Sequence, residues 1–205
     1  MRYLVIDSAS EACSVALIEA GEVVDHRHDV IGRGHAERLV PLIAELADGG
    51  RADVVAAGCG PGSFAGVRIG VAAARALGLG WNVPVRGFST PALVAAGAAD
   101  EIAAAGSALV VMEGGHGQWF VQSFAADLSP LGEVNSLVPD DAIGLGDELV
   151  VGNRADAFVT RRGWGRALPV LPDARSFLRL PPAALNDRPT PIYGRAPDAK
   201  PMAQT

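Results

Sequence analysis

The sequence predicts an α/β protein of two lobes, each built on one βββαβα unit, and three observations carry that prediction. Short strand-like runs joined by tight turns open the chain, a continuous apolar strand over residues 53–59 leads at once into a glycine-rich turn and a helix, and after Gly106 the opening pattern starts again. The 205 residues are 49% hydrophobic and 20% charged, the balance of a globular protein and not of a disordered one. Residues 1–105 are expected to form the first lobe, residues 106–190 a smaller and degenerate second one, and residues 191–205 a C-terminal tail.

Strands over residues 3–6, 13–18 and 23–28 are separated by Ser8-Ala9-Ser10 and Glu19-Ala20-Gly21, and connections this short make an antiparallel meander. Ala36, Leu39, Val40, Ile43, Leu46 and Ala47 then recur at helical spacing, entered from Gly32-Arg33-Gly34 and stopped by Gly49-Gly50. Pro41 either kinks that helix or marks its true beginning. The strand over 53–59 lacks polar alternation, as expected of one buried on both faces. A helix over 66–80, a strand over 83–88 and a helix over 91–105, with Ser89 or Thr90 as its cap, finish the first lobe.

In the second lobe Leu109-Val110-Val111-Met112-Glu113, a turn over 114–117 and a strand over 119–124 repeat the plan of Leu4-Val5-Ile6-Asp7, a turn and a strand over 14–18. A strand over 134–138, a helix near 140–145 and a strand over 149–152 follow, with one short helical stretch around 174–180 in the Pro- and Arg-rich region after Trp164. The duplicated unit resembles the actin-like ATPase (ASKHA) superfamily of actin, sugar kinases and heat-shock ATPases, whose lobes are ribonuclease H-like. Likeness of fold alone says nothing about activity.

The net charge of −6 argues against a chain that grips nucleic acid by itself, since phosphate binding needs a basic footprint. The longest apolar stretches, such as residues 67–79, contain Arg or several Gly and stop short of the ~20 residues of a membrane span. Residues 1–7 form an apolar run too short for a signal peptide and ended by an acid, so the cytoplasm is the expected compartment. Cys13 and Cys59 have no second Cys or His at ligand spacing and are expected to be buried free thiols. The only lysine is Lys200, which leaves none for a phosphate-binding loop or a Schiff base within the folded body.

Gly60-Pro61-Gly62-Ser63-Phe64-Ala65 satisfies the dinucleotide pattern G-x-G-x-x-A on paper, yet no Asp or Glu lies between Pro61 and Ala99 to hold a ribose. What remains is a tight structural turn, or a helix N-terminus whose amides suit a weakly held anion. Gly66, Gly70, Ala74 and Gly78 fall four apart and form a stripe of small residues that admits another helix closely, either the helix over 36–47 or one from another chain. Arg68 and Arg75 flank the stripe.

Asp7 ends the first strand, where actin-like ATPases keep an acid near metal and phosphates, but the turn after it is Ser8-Ala9-Ser10 without glycine. Capping of the local turn is the expected job of Asp7, and of Glu113 in the repeat. His35 has Leu39 four residues on, so no His-x-x-x-His metal pair exists there. His26 and His28 share one face of a strand and His116 lies in a tight turn, with surface or capping roles expected. Ser63 sits in no nucleophile elbow. No catalytic residue and no metal ligand is therefore assigned.

Three segments resemble the TsaB family of bacterial threonylcarbamoyladenosine biosynthesis proteins, once classed as glycoprotease-like or M22 peptidase homologues. They are Ile6-Asp7-Ser8-Ala9-Ser10-Glu11-Ala12-Cys13-Ser14-Val15-Ala16-Leu17, His35-Ala36-Glu37-Arg38-Leu39-Val40-Pro41, and Gly60-Pro61-Gly62-Ser63-Phe64-Ala65-Gly66-Val67-Arg68-Ile69-Gly70. The resemblance thins through the second lobe and returns at Pro191-Ile192-Tyr193-Gly194-Arg195-Ala196-Pro197-Asp198-Ala199-Lys200-Pro201.

The resemblance implies the duplicated ATPase fold without the catalytic and metal-ligating set of the paralogue TsaD. It implies a non-catalytic subunit that binds TsaD and, with the ATPase TsaE, supports transfer of a threonylcarbamoyl group to the adenosine next to the anticodon of tRNAs reading ANN codons. The tRNA would be met only through the complex. The two first-lobe helices are expected to form the TsaD interface, and a homodimer through the same surface, at His35, Leu39, Leu42, Ile43, Phe64, Gly66, Arg68, Ile69, Gly70, Ala73, Ala74 and Leu77. Asp7, Ser8, Ser10, Gly62 and Ser63 are the candidate contacts for an anion or nucleotide, with ATP or ADP held only at the interface of the assembled complex. Family members usually carry Thr where this chain has Ser8, Ser10 and Ala65, Asp-Ala-Arg where it has Glu113-Gly114-Gly115, and Tyr-Leu-Arg where it has Tyr193-Gly194-Arg195. Gly115 thus removes an arginine that a ligand role for the second lobe would use. The rival expectation is a stand-alone nucleotide-binding hydrolase or M22-type peptidase resting on Asp7, Glu113 and the turn over 60–66.

Overall fold

The computed structural model describes residues 1–194, so residues 195–201 of the C-terminal motif, with Lys200, lie outside the described residues. The first sheet holds β1 (Arg2–Asp7), β2 (Ala12–Glu19), β3 (Glu22–Val30), β4 (Val54–Gly58) and β5 (Val85–Phe88) in the order β3-β2-β1-β4-β5. The first three strands are antiparallel, as their short turns demand, while β4 and β5 join in parallel after crossovers through α1 (His35–Ala44) and α2 (Phe64–Trp81).

The second sheet holds β6 (Ser107–Gly115), β7 (Gln118–Ala125), β8 (Asn135–Leu137), β9 (Leu149–Val151) and β10 (Arg166–Leu168). Read from its β8 edge, its order is β8-β7-β6-β9-β10, the same connectivity as the first sheet. Both lobes therefore carry the duplicated ribonuclease H-like plan. Helix α5 (Pro139–Ala142) is one turn long, and α6 (Ala155–Arg162) and β10 complete the repeat although the sequence reading did not anticipate them. The reason is length: α6 buries only Ala155 and Phe158, too few positions to show a helical period.

Alternate residues of β1 serve opposite faces of the first sheet, as the two-residue period of a strand requires. Leu4 and Ile6 pack with Leu39 and Leu42 of α1 and Ala74 of α2, whereas Val5 packs with Phe88, Leu93 and Phe177 beneath α3 (Thr90–Gly97) and the 3₁₀ turns Ala174–Arg179. Helix α3 is buried on nearly every side and shares Val94, Ala95 and Ala96 with Val110 and Met112 of the second lobe, so it is the packing link between the two sheets.

Two boundaries differ from expectation for local reasons, and one open choice of cap is settled. Helix α1 runs through Pro41 without a break, because Pro41 sits on its exposed side, and it ends at Ala44; Asp48 and Gly49 then take left-handed conformations with φ of 54° and 63°. The helix expected over 91–105 is two helices, α3 and α4 (Ala99–Ala105), broken at Ala98, where φ and ψ are −119° and 25°. Ser89 is the cap of α3, its Oγ accepting from the Ala92 amide at 3.1 Å, while Thr90 is already helical and turns its hydroxyl inward.

The small-residue stripe of α2 faces its own sheet and not another helix. Gly66, Gly70, Ala74 and Gly78 are all buried. A Cβ at Gly66 would stand 2.0 Å from the Ser8 carbonyl oxygen, one at Gly70 2.6 Å from Ser8 Oγ, and one at Gly78 2.2 Å from Val85 Cγ2. The stripe exists so that α2 can lie directly on the β1 turn and on β5. Among the described residues, no helix is long and apolar enough to cross a membrane.

Candidate functional site

The turn after β1, the turn after β6, the start of α2 and residues 192–194 enclose a cleft of about 820 Å³ between the lobes. Its floor and walls are largely apolar, with Val67, Met112, Phe120 and Ile192, and its polar rim includes Ser10, Glu11, Arg68, Glu113, His116 and Asn153.

Asp7 is 1% exposed and does not line this cleft. Its Oδ1 accepts the Ala9 amide at 3.0 Å, and its Oδ2 accepts the Thr90 hydroxyl at 2.9 Å. Burial pushes the carboxyl up to about 6, against the opposing pull of those two hydrogen bonds. Ser8 is likewise buried and its hydroxyl donates to the Gly66 carbonyl at 2.9 Å, tying the turn to α2. Ser10 Oγ accepts the Ala12 amide at 3.1 Å. Ser63 donates its amide to the Ala9 carbonyl at 2.6 Å and caps α2 through Oγ, which accepts from the Gly66 amide. Gly62 lies so close to the same turn that a Cβ would stand 2.1 Å from the Ala9 oxygen. Of the five candidate anion contacts, Ser10, Gly62 and Ser63 line the cleft, while Asp7 and Ser8 serve the interior.

The second lobe repeats the arrangement. Glu113 Oε1 accepts the Gly115 amide at 3.1 Å, and its Oε2 pairs with Arg154. In each lobe, then, an acid at or near the end of the first strand, Asp7 at the end of β1 and Glu113 two residues before the end of β6, accepts the amide two residues ahead. An amide used this way does not face a phosphate oxygen, which is the opposite of how a phosphate-binding turn spends its N–H groups. Asn153 joins the lobes: its Oδ1 accepts the Glu113 amide at 2.9 Å, and its Nδ2 donates to Glu11 Oε2 at 2.7 Å. Asn153 and Arg154 carried no motif in the sequence and Glu11 was given no role there, and 142 positions separate Glu11 from Asn153.

Arg68 is fixed at the cleft mouth by aromatic rings. Its guanidinium lies 3.5 Å from the Phe64 ring centroid, and its Nε donates to the Tyr193 hydroxyl at 3.0 Å. The Phe64 and Tyr193 rings are 5.6 Å apart.

A Ser-His-Asp grouping occurs elsewhere in the first lobe, with His28 Nδ1 3.2 Å from Ser14 Oγ and 3.6 Å from Asp173 Oδ2. It is not a relay, because both partners face the same ring nitrogen, whereas a relay uses the two nitrogens for different partners. Ser14 is 1% exposed and its Oγ accepts the Ala174 amide at 2.9 Å.

The expected interface set divides by burial. His35, Leu39, Leu42 and Ile43 of α1 and Gly66, Gly70 and Ala74 of α2 are buried within the lobe, so they are corrected from partner contacts to core; His35 Nε2 lies 3.3 Å from the Ala12 carbonyl. Ile69, Ala73 and Leu77 are half-buried, and Phe64 and Arg68 are exposed. Beyond Phe64 and Arg68, the outer face of the two helices is built from other residues. It presents Val40 (61% exposed) and Leu79 (86% exposed) with Ala36, Pro41, Ala72 and Ala76, none of them in the expected interface set. Helices α1 and α2 touch each other and cover one face of the first sheet, so these residues lie on the same outer side of the lobe.

A family model described as TsaD: tRNA N6-adenosine threonylcarbamoyltransferase matches residues 28–156. A tRNA threonylcarbamoyladenosine biosynthesis protein TsaB from Escherichia coli is 44% identical over 103 residues, 48% of this chain and 44% of that protein. Its counterpart in Haemophilus influenzae is 42% identical over 42% of this chain and 38% of that protein. The matched region thus spans less than half the length of these curated relatives. An uncharacterized protein of Mycobacterium bovis is 32% identical over 98% of this chain and 94% of its own length. Among solved structures, YeaZ from Pseudomonas aeruginosa is similar with a TM-score of 0.72 at 28% identity, covering 87% of this chain and 89% of that one. An uncharacterized Pseudomonas aeruginosa protein described as similar to peptidase YeaZ has a TM-score of 0.79 at 26% identity, with 95% and 99% covered.

Proposed function

The chain belongs to the TsaB family, within the group that the TsaD family model describes, and from this membership we propose that it is a non-catalytic subunit in tRNA threonylcarbamoyladenosine biosynthesis. It binds TsaD and, with TsaE, supports threonylcarbamoyl transfer to the adenosine next to the anticodon, meeting tRNA only through that complex.

The observation that carries the proposal is the use made of Asp7 and Glu113. Each acid is spent on the amide of its own turn, and Asp7 is buried besides, so the positions where an actin-like ATPase would handle metal and phosphate serve folding here. What the first lobe offers outward instead is the α1–α2 surface with Val40 and Leu79, large apolar side chains of the kind that anchor protein contacts. The same surface in a second copy gives the homodimer.

Light scattering on a mixture with the cognate TsaD is expected to give the mass of a heterodimer at micromolar concentration, and two separate masses would end the proposal. Leu79→Arg is expected to weaken that association at least tenfold while the isolated chain melts as before, because Leu79 is almost fully exposed. Unchanged affinity would move the interface off α2. Gly70→Leu is not a test of the interface, since the added side chain would strike Ser8 and Ile6 inside the lobe.

A further inference from the structure

We propose that the interlobe cleft binds a small zwitterion with an apolar body, of the short-peptide class, with its carboxylate on Arg68 and its ammonium on Glu11. The inference goes beyond the assembly role and rests on different residues.

Two opposite charges on the lining have neutral partners only. Glu11 Oε2 accepts from the Asn153 amide nitrogen at 2.7 Å, and among the described residues Glu11 joins no ion pair. Arg68 stacks on Phe64 and spends Nε on the Tyr193 hydroxyl; it also joins no ion pair among the described residues, so its two terminal nitrogens remain for a ligand. A guanidinium held in this way is a preorganised fork for a carboxylate. The same cleft is lined by Val67, Met112, Phe120 and Ile192, which suits aliphatic side chains.

Size and charge narrow the class further. A cavity of about 820 Å³ falls in the range of about 300–1,000 Å³ that holds drug-sized ligands and exceeds the needs of one amino acid. A polyphosphate would bring several negative charges toward Glu11 and Glu113, and the turn amides of Ala9 and Gly115 are already engaged. A zwitterion supplies its own cation to Glu11 and avoids that repulsion.

Calorimetric titration of the isolated chain with trileucine, N-acetyl-trileucine, trileucine amide and ADP tests the assignment without altering the protein. Trileucine is expected to bind saturably, and each blocked form at least tenfold more weakly. Glu11→Gln is expected to erase the penalty of acetylation, and Arg68→Gln that of amidation, with melting curves reporting that both variants fold. The proposal is overturned if trileucine does not bind up to its solubility limit, if all three peptides bind alike, or if ADP binds more tightly than trileucine. Complex formation with TsaD is read separately, so either proposal can fail alone.

Discussion

Gly66→Ala is expected to lower the unfolding free energy by about 3 kcal/mol, the upper end of the usual cost of overpacking a fitted interior. The new Cβ would stand 2.0 Å from the Ser8 carbonyl oxygen, and a backbone atom cannot swing aside as a side-chain tip can. Nor can helix or turn retreat alone. The Ser8 hydroxyl holds the Gly66 carbonyl, the Ser63 amide holds the Ala9 carbonyl, and Asp7 holds the Ala9 amide, so moving either element breaks these bonds together. Urea denaturation measures the loss, with Ala72→Leu on the exposed side of α2 as the contrast, expected within about 0.5 kcal/mol of the unaltered chain. A Gly66→Ala chain as stable as the original would mean that α2 does not sit on the β1 turn.

Asp7→Asn is expected to stabilise the protein at pH 8 and to do nothing comparable at pH 4. The folded-state value of the Asp7 carboxyl is raised from 3.8 to about 6 by burial. A raised carboxyl favours the folded state fully below its unfolded value and loses that contribution as pH climbs through the folded one, so ionised Asp7 costs about 3 kcal/mol at neutral pH. Asparagine removes the ionisation but exchanges the acceptor of the Thr90 hydroxyl for a donor, a loss of about 1 kcal/mol. The net expectation is a gain of about 2 kcal/mol at pH 8 that shrinks between pH 6 and pH 4, read from denaturation curves across that range. A difference independent of pH would show that Asp7 does not carry the titration.

The lobe plan was legible in the sequence because β1, β2 and β4 are near-continuous apolar runs, because α2 buries small residues four apart, and because the acid at the end of β1 recurs as Glu113 near the end of β6. The proposed docking face was less legible for a physical reason. Leu39 and Ile43 recur at helical spacing, and that signal marks the face turned to the core; Val40 belongs to the same apolar pattern yet is exposed, and Leu79 is exposed near the end of α2, so the pattern alone does not separate the two faces. The four-residue stripe of α2 was equally ambiguous. Spacing says that something approaches closely, and only the fold says that it is Ser8 and Val85. The tie from Glu11 through Asn153 to Glu113 joins residues too distant in sequence for any local pattern to pair them.

The proposal that depends most on the Asp7 and Glu113 arrangement is that this chain holds no phosphate site of its own and acts through a partner. Titration of the isolated chain with ATP and magnesium, with released ADP measured in the same sample, addresses it most directly. No saturable heat and no ADP above the buffer blank are the expected results. Stoichiometric binding, or sustained release of ADP, would contradict the claim.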